Sequence, residues 1–221
     1  MPAVAVSRAR ALTREDVIAA AAALVAEGGY AGLSMRALAQ RCGVATMTLY
    51  RHVATKEDLM AALVDRALGA LELPAPGALG WQEQLATVFL SVYDLLLEHP
   101  DLVDIAARQH VAGEAAYRGA EVVLDALGRA GIEGEAAATA FATLFAFTLG
   151  FVQQQLHSQG ASLAHRQAVL EHLPVDDFEH LSRLGPVFLL RHSRRHFRDG
   201  LDVIIAGLAA KAVKRRKGRR P

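Results

Sequence analysis

The 221 residues are 52% hydrophobic, include 7 Pro and a single cysteine, Cys42, and carry a formal net charge of +1. One cysteine excludes an intrachain disulfide and a cysteine metal cluster, and the Pro-poor, Ala- and Leu-rich composition favours helices over a β-rich fold. The length admits one or two domains with a sizeable core. Residues 1–10 show no apolar stretch of the kind a signal peptide needs, so a cytoplasmic location is expected. The charge is unevenly placed. Residues 1–56 hold seven Lys/Arg against three acids, a net of +4. Residues 211–221 hold seven and no acid, and residues 57–210 have a net of −10. A basic N-terminal segment on an acidic body suggests a nucleic-acid face at one end, although solvated surface charge would read the same.

In chain order, Thr13 with Asp16 three residues on reads as a capping box opening a first helix. Val17, Ile18, Ala21, Leu24 and Val25 recur at helical spacing, and Gly28-Gly29 ends it. Ser34 caps a second helix whose inward residues are Leu38, Ala39 and Cys42, with Gly43 as its stop. A short third helix is expected over 46–52. A fourth starts at Thr55, with Leu59, Leu63, Ala67 and Leu71 as its apolar stripe. The Pro/Gly-rich stretch Leu73-Pro74-Ala75-Pro76-Gly77 is the one credible boundary. Beyond it, helices are predicted at 81–98, 101–109, 114–129 and 135–157, with Pro100, Gly113 and Gly131 as stops. Residues 158–177 look irregular or partly helical, 178–190 helical with a break at Gly185-Pro186, and a last long helix spans 196–213. Residues 136–156 carry no charge, but three Thr, three Gln and the lack of a flanking basic cluster favour a buried helix over a membrane span.

The fold expected is all-α: a three-helix helix-turn-helix domain (12–72) behind a basic arm (1–11), a linker (73–80), a helical regulatory and dimerisation domain (81–213) and a basic tail (214–221). Residues 34–53 meet the physical demands of a helix-turn-helix. Ala39 is small where two helices cross, and Gly43 supplies the positive φ of the tight turn. Val44 and Leu49 pack the second helix on the first, which leaves its N-terminal side chains for a major groove. A helical hairpin without a DNA role would share each feature singly.

Leu33-Ser34-Met35-Arg36-Ala37-Leu38-Ala39-Gln40, Leu49-Tyr50-Arg51-His52-Val53 and Thr55-Lys56-Glu57-Asp58-Leu59 resemble the DNA-binding signature of the TetR family. A looser likeness over 81–211 rests on Trp81-Gln82, Phe147-Thr148-Leu149-Gly150 and residues 200–208, and is similar to the regulatory domain of the tetracycline-repressor branch. The resemblance implies a homodimer on a palindromic operator of double-stranded DNA, released by a small effector, with repression as the usual outcome. It carries DNA contacts onto Ser34, Met35, Arg36, Thr46, Met47, Thr48, Tyr50, Arg51, His52 and Lys56. Arg36 would reach a guanine edge or a phosphate, and Thr46, Met47 and Thr48 a thymine methyl. Tyr50, His52 and Lys56 would clamp phosphates, with packing the other reading of Tyr50. Ser34 serves equally as a helix cap. The tetracycline repressor has Gln and Pro where Thr46 and Met47 stand, so its operator does not transfer. Arg8 and Arg10 would lie on an arm able to reach backbone or minor groove. The tail would be a solvated extension or a second DNA contact.

By the same resemblance the effector contacts fall on Val88, Val92, His110, Tyr117, Phe141, Phe145 and Gln154, each of which plain core packing would also explain. These side chains suit a hydrophobic effector. The branch's metal-binding His falls near Ala107, its acidic helper at Gln154 and its polar anchor at Val88, so a magnesium–tetracycline complex is not expected. No metal site or cofactor is expected. The helices at 135–157 and 196–213 would form a four-helix bundle across a twofold axis. No nucleophile elbow, phosphate loop or dinucleotide fingerprint points to an enzyme. An activator, or an adaptor that kept the fold without DNA binding, are the alternatives.

Overall fold

The computed structural model describes residues 11–29, 32–108, 113–157, 162–189 and 192–218. Thr13 opens α1 (Arg14–Gly28) through a closed capping box: its hydroxyl accepts the Asp16 N–H at 3.1 Å, and the Asp16 carboxylate accepts the Thr13 N–H at 2.9 Å. Ser34 caps α2 (Met35–Cys42) by accepting the Ala37 N–H at 3.1 Å. Gly43 sits at φ 66°, and the next N–H, of Val44, reaches back to the Ala39 carbonyl at 3.0 Å, which closes the helix end and turns the chain. α3 (Thr46–Leu49) is shorter than the 46–52 expected. The residues after it continue as hydrogen-bonded turns, with His52 N–H on the Leu49 carbonyl at 2.8 Å. α4 (Lys56–Gly69) starts where Thr55 accepts the Asp58 N–H at 3.0 Å.

These four helices share one core of Val17, Ala21, Leu33, Leu38, Ala39, Leu49, Val53, Leu59 and Leu63. A second core begins on the same α4, with Val64, and continues into the larger domain. α4 therefore belongs to both domains, and its one apolar stripe is split between two cores.

The larger domain is built around α5 (Trp81–Glu98), which packs against α7 (Glu114–Arg129), α8 (Glu135–His157), α6 (Pro100–Arg108) and α11 (Arg194–Gly218). α6 begins at Pro100, a first-turn position where the missing N–H costs nothing. Gln84 is wholly buried and satisfied: its amide donates to the Val122 carbonyl at 2.8 Å and accepts from Arg129 at 2.6 Å. Arg129 also donates to the Leu79 carbonyl at 2.9 Å, tethering the linker to α7. On the other side of α5, Tyr93 stacks on Phe197 at 4.4 Å and Phe197 on Phe147 at 5.3 Å. Gly200 lies under this stack, where a Cβ would stand 2.6 Å from the Phe147 ring.

The region 158–177, expected irregular or partly helical, contains α9 (Ser162–Glu171). It is followed by α10 (Glu179–Leu184) and a 3-10 turn (Gly185–Leu189), all packed mainly on one another. α11 begins at Arg194 rather than 196, because Ser193 accepts the His196 N–H at 3.3 Å as an N-cap. It also runs past 213 to Gly218, so the helix enters the segment assigned to the tail. Arg194 grips Asp94 near the end of α5 and Arg198 reaches Glu83 near its start, so α11 runs antiparallel to α5. The end of α5 lies on the side of α1, where Asp101 approaches Gly29. The C-terminal part of α11 therefore points away from the helix-turn-helix.

α8 is long and apolar enough to cross a membrane by length and composition. Its Leu144, Thr148 and Val152 are buried against α5, α6, α7 and α11, and the Thr148 hydroxyl donates to the Leu144 carbonyl at 2.8 Å.

Candidate DNA-binding face and effector site

The core of the small domain leaves the start of α2 and the whole outer side of α3 at the surface. Ser34, Arg36, Arg51 and Lys56 are exposed. Met47 is 77% exposed, Tyr50 is exposed, and Thr46, Thr48 and His52 are half-buried. Met35 differs: it is half-buried against the small-domain core, so its side chain has a packing role on the spot expected for a DNA contact. Leu49, between the exposed Met47 and Tyr50, is fully buried and fixes the rotation of α3. The ten residues carried over to a DNA face thus fall on one contiguous segment pair, 34–36 and 46–56.

The cations of this domain fall into two groups. Arg41 donates to both Glu27 oxygens, at 2.6 and 2.8 Å, and ties α2 to α1. This bidentate bond holds the Glu27 carboxyl below its ordinary range and raises the Arg41 guanidinium. Arg14 donates to Asp58 at 2.8 Å and ties α1 to α4. By contrast, among the described residues Arg36, Arg51 and Lys56 pair with no carboxylate. Two arginines are thus spent on the scaffold, and the cations on the α2–α4 surface keep their charge for an outside anion. Cys42 is half-buried at the end of α2, and burial pushes its thiol up.

Sequence reasoning missed Asp58 and Asp65 as organising residues. Asp58 accepts from Arg14 and also from the Ala54 N–H at 3.0 Å, so it fixes the chain entering α4. The one local signal is the Thr55–Asp58 spacing, which by itself marks a helix start. Asp65 accepts the Ala116 N–H at 2.8 Å and the Ala115 N–H at 3.4 Å, and so caps α7 from another helix. No local pattern announces a cap 50 residues away in sequence.

The residues expected to meet an effector differ in burial. Val88 is buried in the main core. Val92, Phe141 and Phe145 pack on that core half-buried, and the Phe141 and Phe145 rings stack at 6.3 Å. Tyr117 is 64% exposed and Gln154 is exposed. His110 lies outside the described residues, as do Arg8 and Arg10 of the arm. A cleft of about 740 Å³ opens elsewhere, between α1, α4 and the start of α7, and is lined by none of these seven. Among the described residues no three His, Cys, Asp or Glu gather as a metal site.

Comparison with known proteins bears on both domains. Residues 17–63 match the family described as "Bacterial regulatory proteins, tetR family", and residues 73–212 match "Tetracyclin repressor-like, C-terminal domain". A transcriptional regulator of Saccharopolyspora erythraea is 29% identical over 91% of this chain and 86% of its own length. The class D tetracycline repressor of Escherichia coli is 34% identical over 74% of this chain and 75% of its own. The crystal structure of ActR from Streptomyces coelicolor in complex with actinorhodin superposes with a TM-score of 0.82 at 30% identity, covering 91% of this chain and 99% of that one. All three are regulators rather than enzymes. The chain belongs to the TetR family of bacterial transcriptional regulators, with a DNA-binding domain followed by a ligand-binding domain.

Proposed function

We propose that this regulator acts in the cytoplasm as a homodimeric repressor, bound to a palindromic duplex operator and released by a small hydrophobic effector. The observation that carries the reading is the face of α2 and α3: Arg36, Arg51 and Lys56 without carboxylate partners beside Met47 and Thr46, on helices held rigidly from behind by the Arg41–Glu27 and Arg14–Asp58 pairs. In this reading Arg36 reads a guanine, and Thr46, Met47 and Thr48 meet thymine methyls. Ser34, Tyr50, Arg51, His52 and Lys56 hold phosphates, and Met35 braces α2 while its backbone faces the duplex.

Two helical faces support dimerisation. α8 leaves Ala138, Ala142, Thr143 and Ala146 exposed, and α11 leaves Val203, Ala206, Gly207 and Ala210 exposed at helical spacing. The α8 threonines are satisfied within the helix, Thr139 on the Glu135 carbonyl and Thr143 on the Thr139 carbonyl, so the face is uncharged and small. Such faces let helices of two protomers approach closely, and a four-helix bundle on a twofold axis covers them.

The hydrophobic character of the effector rests on Val88, Val92, Phe141 and Phe145, and on the relative solved with actinorhodin. A magnesium–tetracycline complex is not expected as the effector, since Val88, Ala107 and Gln154 bring no anionic oxygen to a hard cation. Selection of duplexes from a random pool by the purified protein tests the function. Enrichment of an inverted repeat supports it, and enrichment of nothing above the input overturns it. Titrating the resulting complex with magnesium and tetracycline tests the effector class: release at micromolar drug, abolished by a chelator, would contradict it.

A further inference from the structure

Two of the carboxylates on α4, Asp58 and Asp65, lie two turns apart, and each holds a different part of the molecule. Asp58 holds α1 through Arg14, and the turn entering α4 through the Ala54 N–H. Asp65 holds the first turn of α7 through the Ala115 and Ala116 N–H groups. The fit at Asp65 is tight. Any side chain at position 113 would overlap the Asp65 carboxylate, and a Cβ at Gly69 would stand 3.3 Å from Ala115. Gly113 has an extended backbone that any residue could adopt, so the space and not the conformation demands glycine there. The apolar side of α4 agrees: Leu59 and Leu63 are in the small core, Val64 in the large one, and Met60 touches both.

We propose that Asp65, seated on the first turn of α7 against Gly113, is a positioning residue that makes α4 and α7 move as one body and so carries the state of the DNA face to the effector domain. An anion at a helix N-terminus meets unpaired N–H groups and the positive end of the helix dipole. The bond is therefore directional, and it lies between two helices of different domains. A shift or rotation of α7 carries Asp65 with it, and α4 transmits that motion to the helix-turn-helix through Asp58 and Arg14. The coupling is reciprocal, so DNA on the small domain must be felt at α7. This inference rests on the reading of the chain as a DNA-binding regulator only for its second arm below.

Hydrogen exchange by mass spectrometry on the full chain tests it, in segments 113–120 and 35–44. Without DNA, Asp65→Ala should raise exchange about fivefold in 113–120, the size of one lost N-cap, and also measurably in 35–44. If that variant does not fold, Gly113→Ala displaces the carboxylate while leaving α4 chemically intact, and the same two segments are read. A rise confined to 113–120, or in neither segment, makes Asp65 a local cap at most and overturns the proposal. With a duplex the protein has itself selected, wild-type protein should gain protection in 113–120 as well as in 35–44. The variant, once bound, should keep only the gain in 35–44, and an equal gain at both segments in the variant overturns the proposal. A wild type that selects no duplex would contradict the proposed function, and the DNA-free arm would still decide the fate of the latch.

Discussion

Arg36 and Arg41 lie five residues apart on one short helix and have opposite fates. Arg41 is closed onto Glu27 by two hydrogen bonds, whereas Arg36 is exposed with no carboxylate partner among the described residues. Charge counting along the sequence could not separate them, because the partner of Arg41 lies on the preceding helix. The separation yields distinct expectations. Arg36→Ala should cost about 1–3 kcal/mol of specific binding and relax preference at one base pair per half-site, read by competition with point-substituted duplexes. Lys56→Ala should weaken all duplexes alike and lower the slope of affinity against salt by about one. Cys42 makes a chemical prediction. Burial raises its thiol pKa, so at neutral pH the reactive thiolate is scarce. Iodoacetamide should label it slowly in the native protein and much faster in urea, and equal rates would show the site to be open.

Helix boundaries were legible wherever a cap is local. Thr13, Ser34, Gly43 and Thr55 each act within four residues, and each does in the structure what its spacing implies. Gly43 at φ 66° makes this testable: Gly43→Ala should cost about 1–2 kcal/mol of stability in urea melts, because an L-residue strains in that region. Boundaries that depend on the tertiary neighbourhood were not legible. The start of α11 at Ser193 was missed because Arg194 and Arg195 interrupt the apolar pattern, although Arg194 is held by Asp94 on α5. The close approach at Gly200 is invisible in sequence, since it is set by Phe147 on another helix. Gly200→Ala should push that ring out of its stack with Phe197 and cost about 1–3 kcal/mol, with the loss seen in thermal unfolding and in the near-ultraviolet aromatic signal. The residues expected on DNA lie on one short stretch of chain, so their common exposure follows from local helix geometry. Those expected at the effector lie on α5, α7 and α8, where a shift of one residue turns a side chain from core to solvent, and Tyr117 and Gln154 are exposed while Val88 is buried.

At the scale of the molecule, two cores meet on α4, and the chain's direction sorts its charges. The helix-turn-helix end bears the unpaired cations of α2 to α4, while α11 carries residues 214–218 toward the opposite end, away from a duplex held at α3. On the proposed reading, binding is governed by the cations of the small domain. A dimer neutralising about six to ten phosphates should lose roughly 10³–10⁵-fold in affinity between about 50 and 200 mM salt. The central claim is that two copies of this chain read the two halves of one inverted repeat. Sedimentation of the protein on its selected duplex, alongside a duplex cut to one half-site, tests this most directly. The account predicts two chains per full site and a large loss of affinity on the half-site, whereas one chain per duplex with equal affinity for both would contradict it.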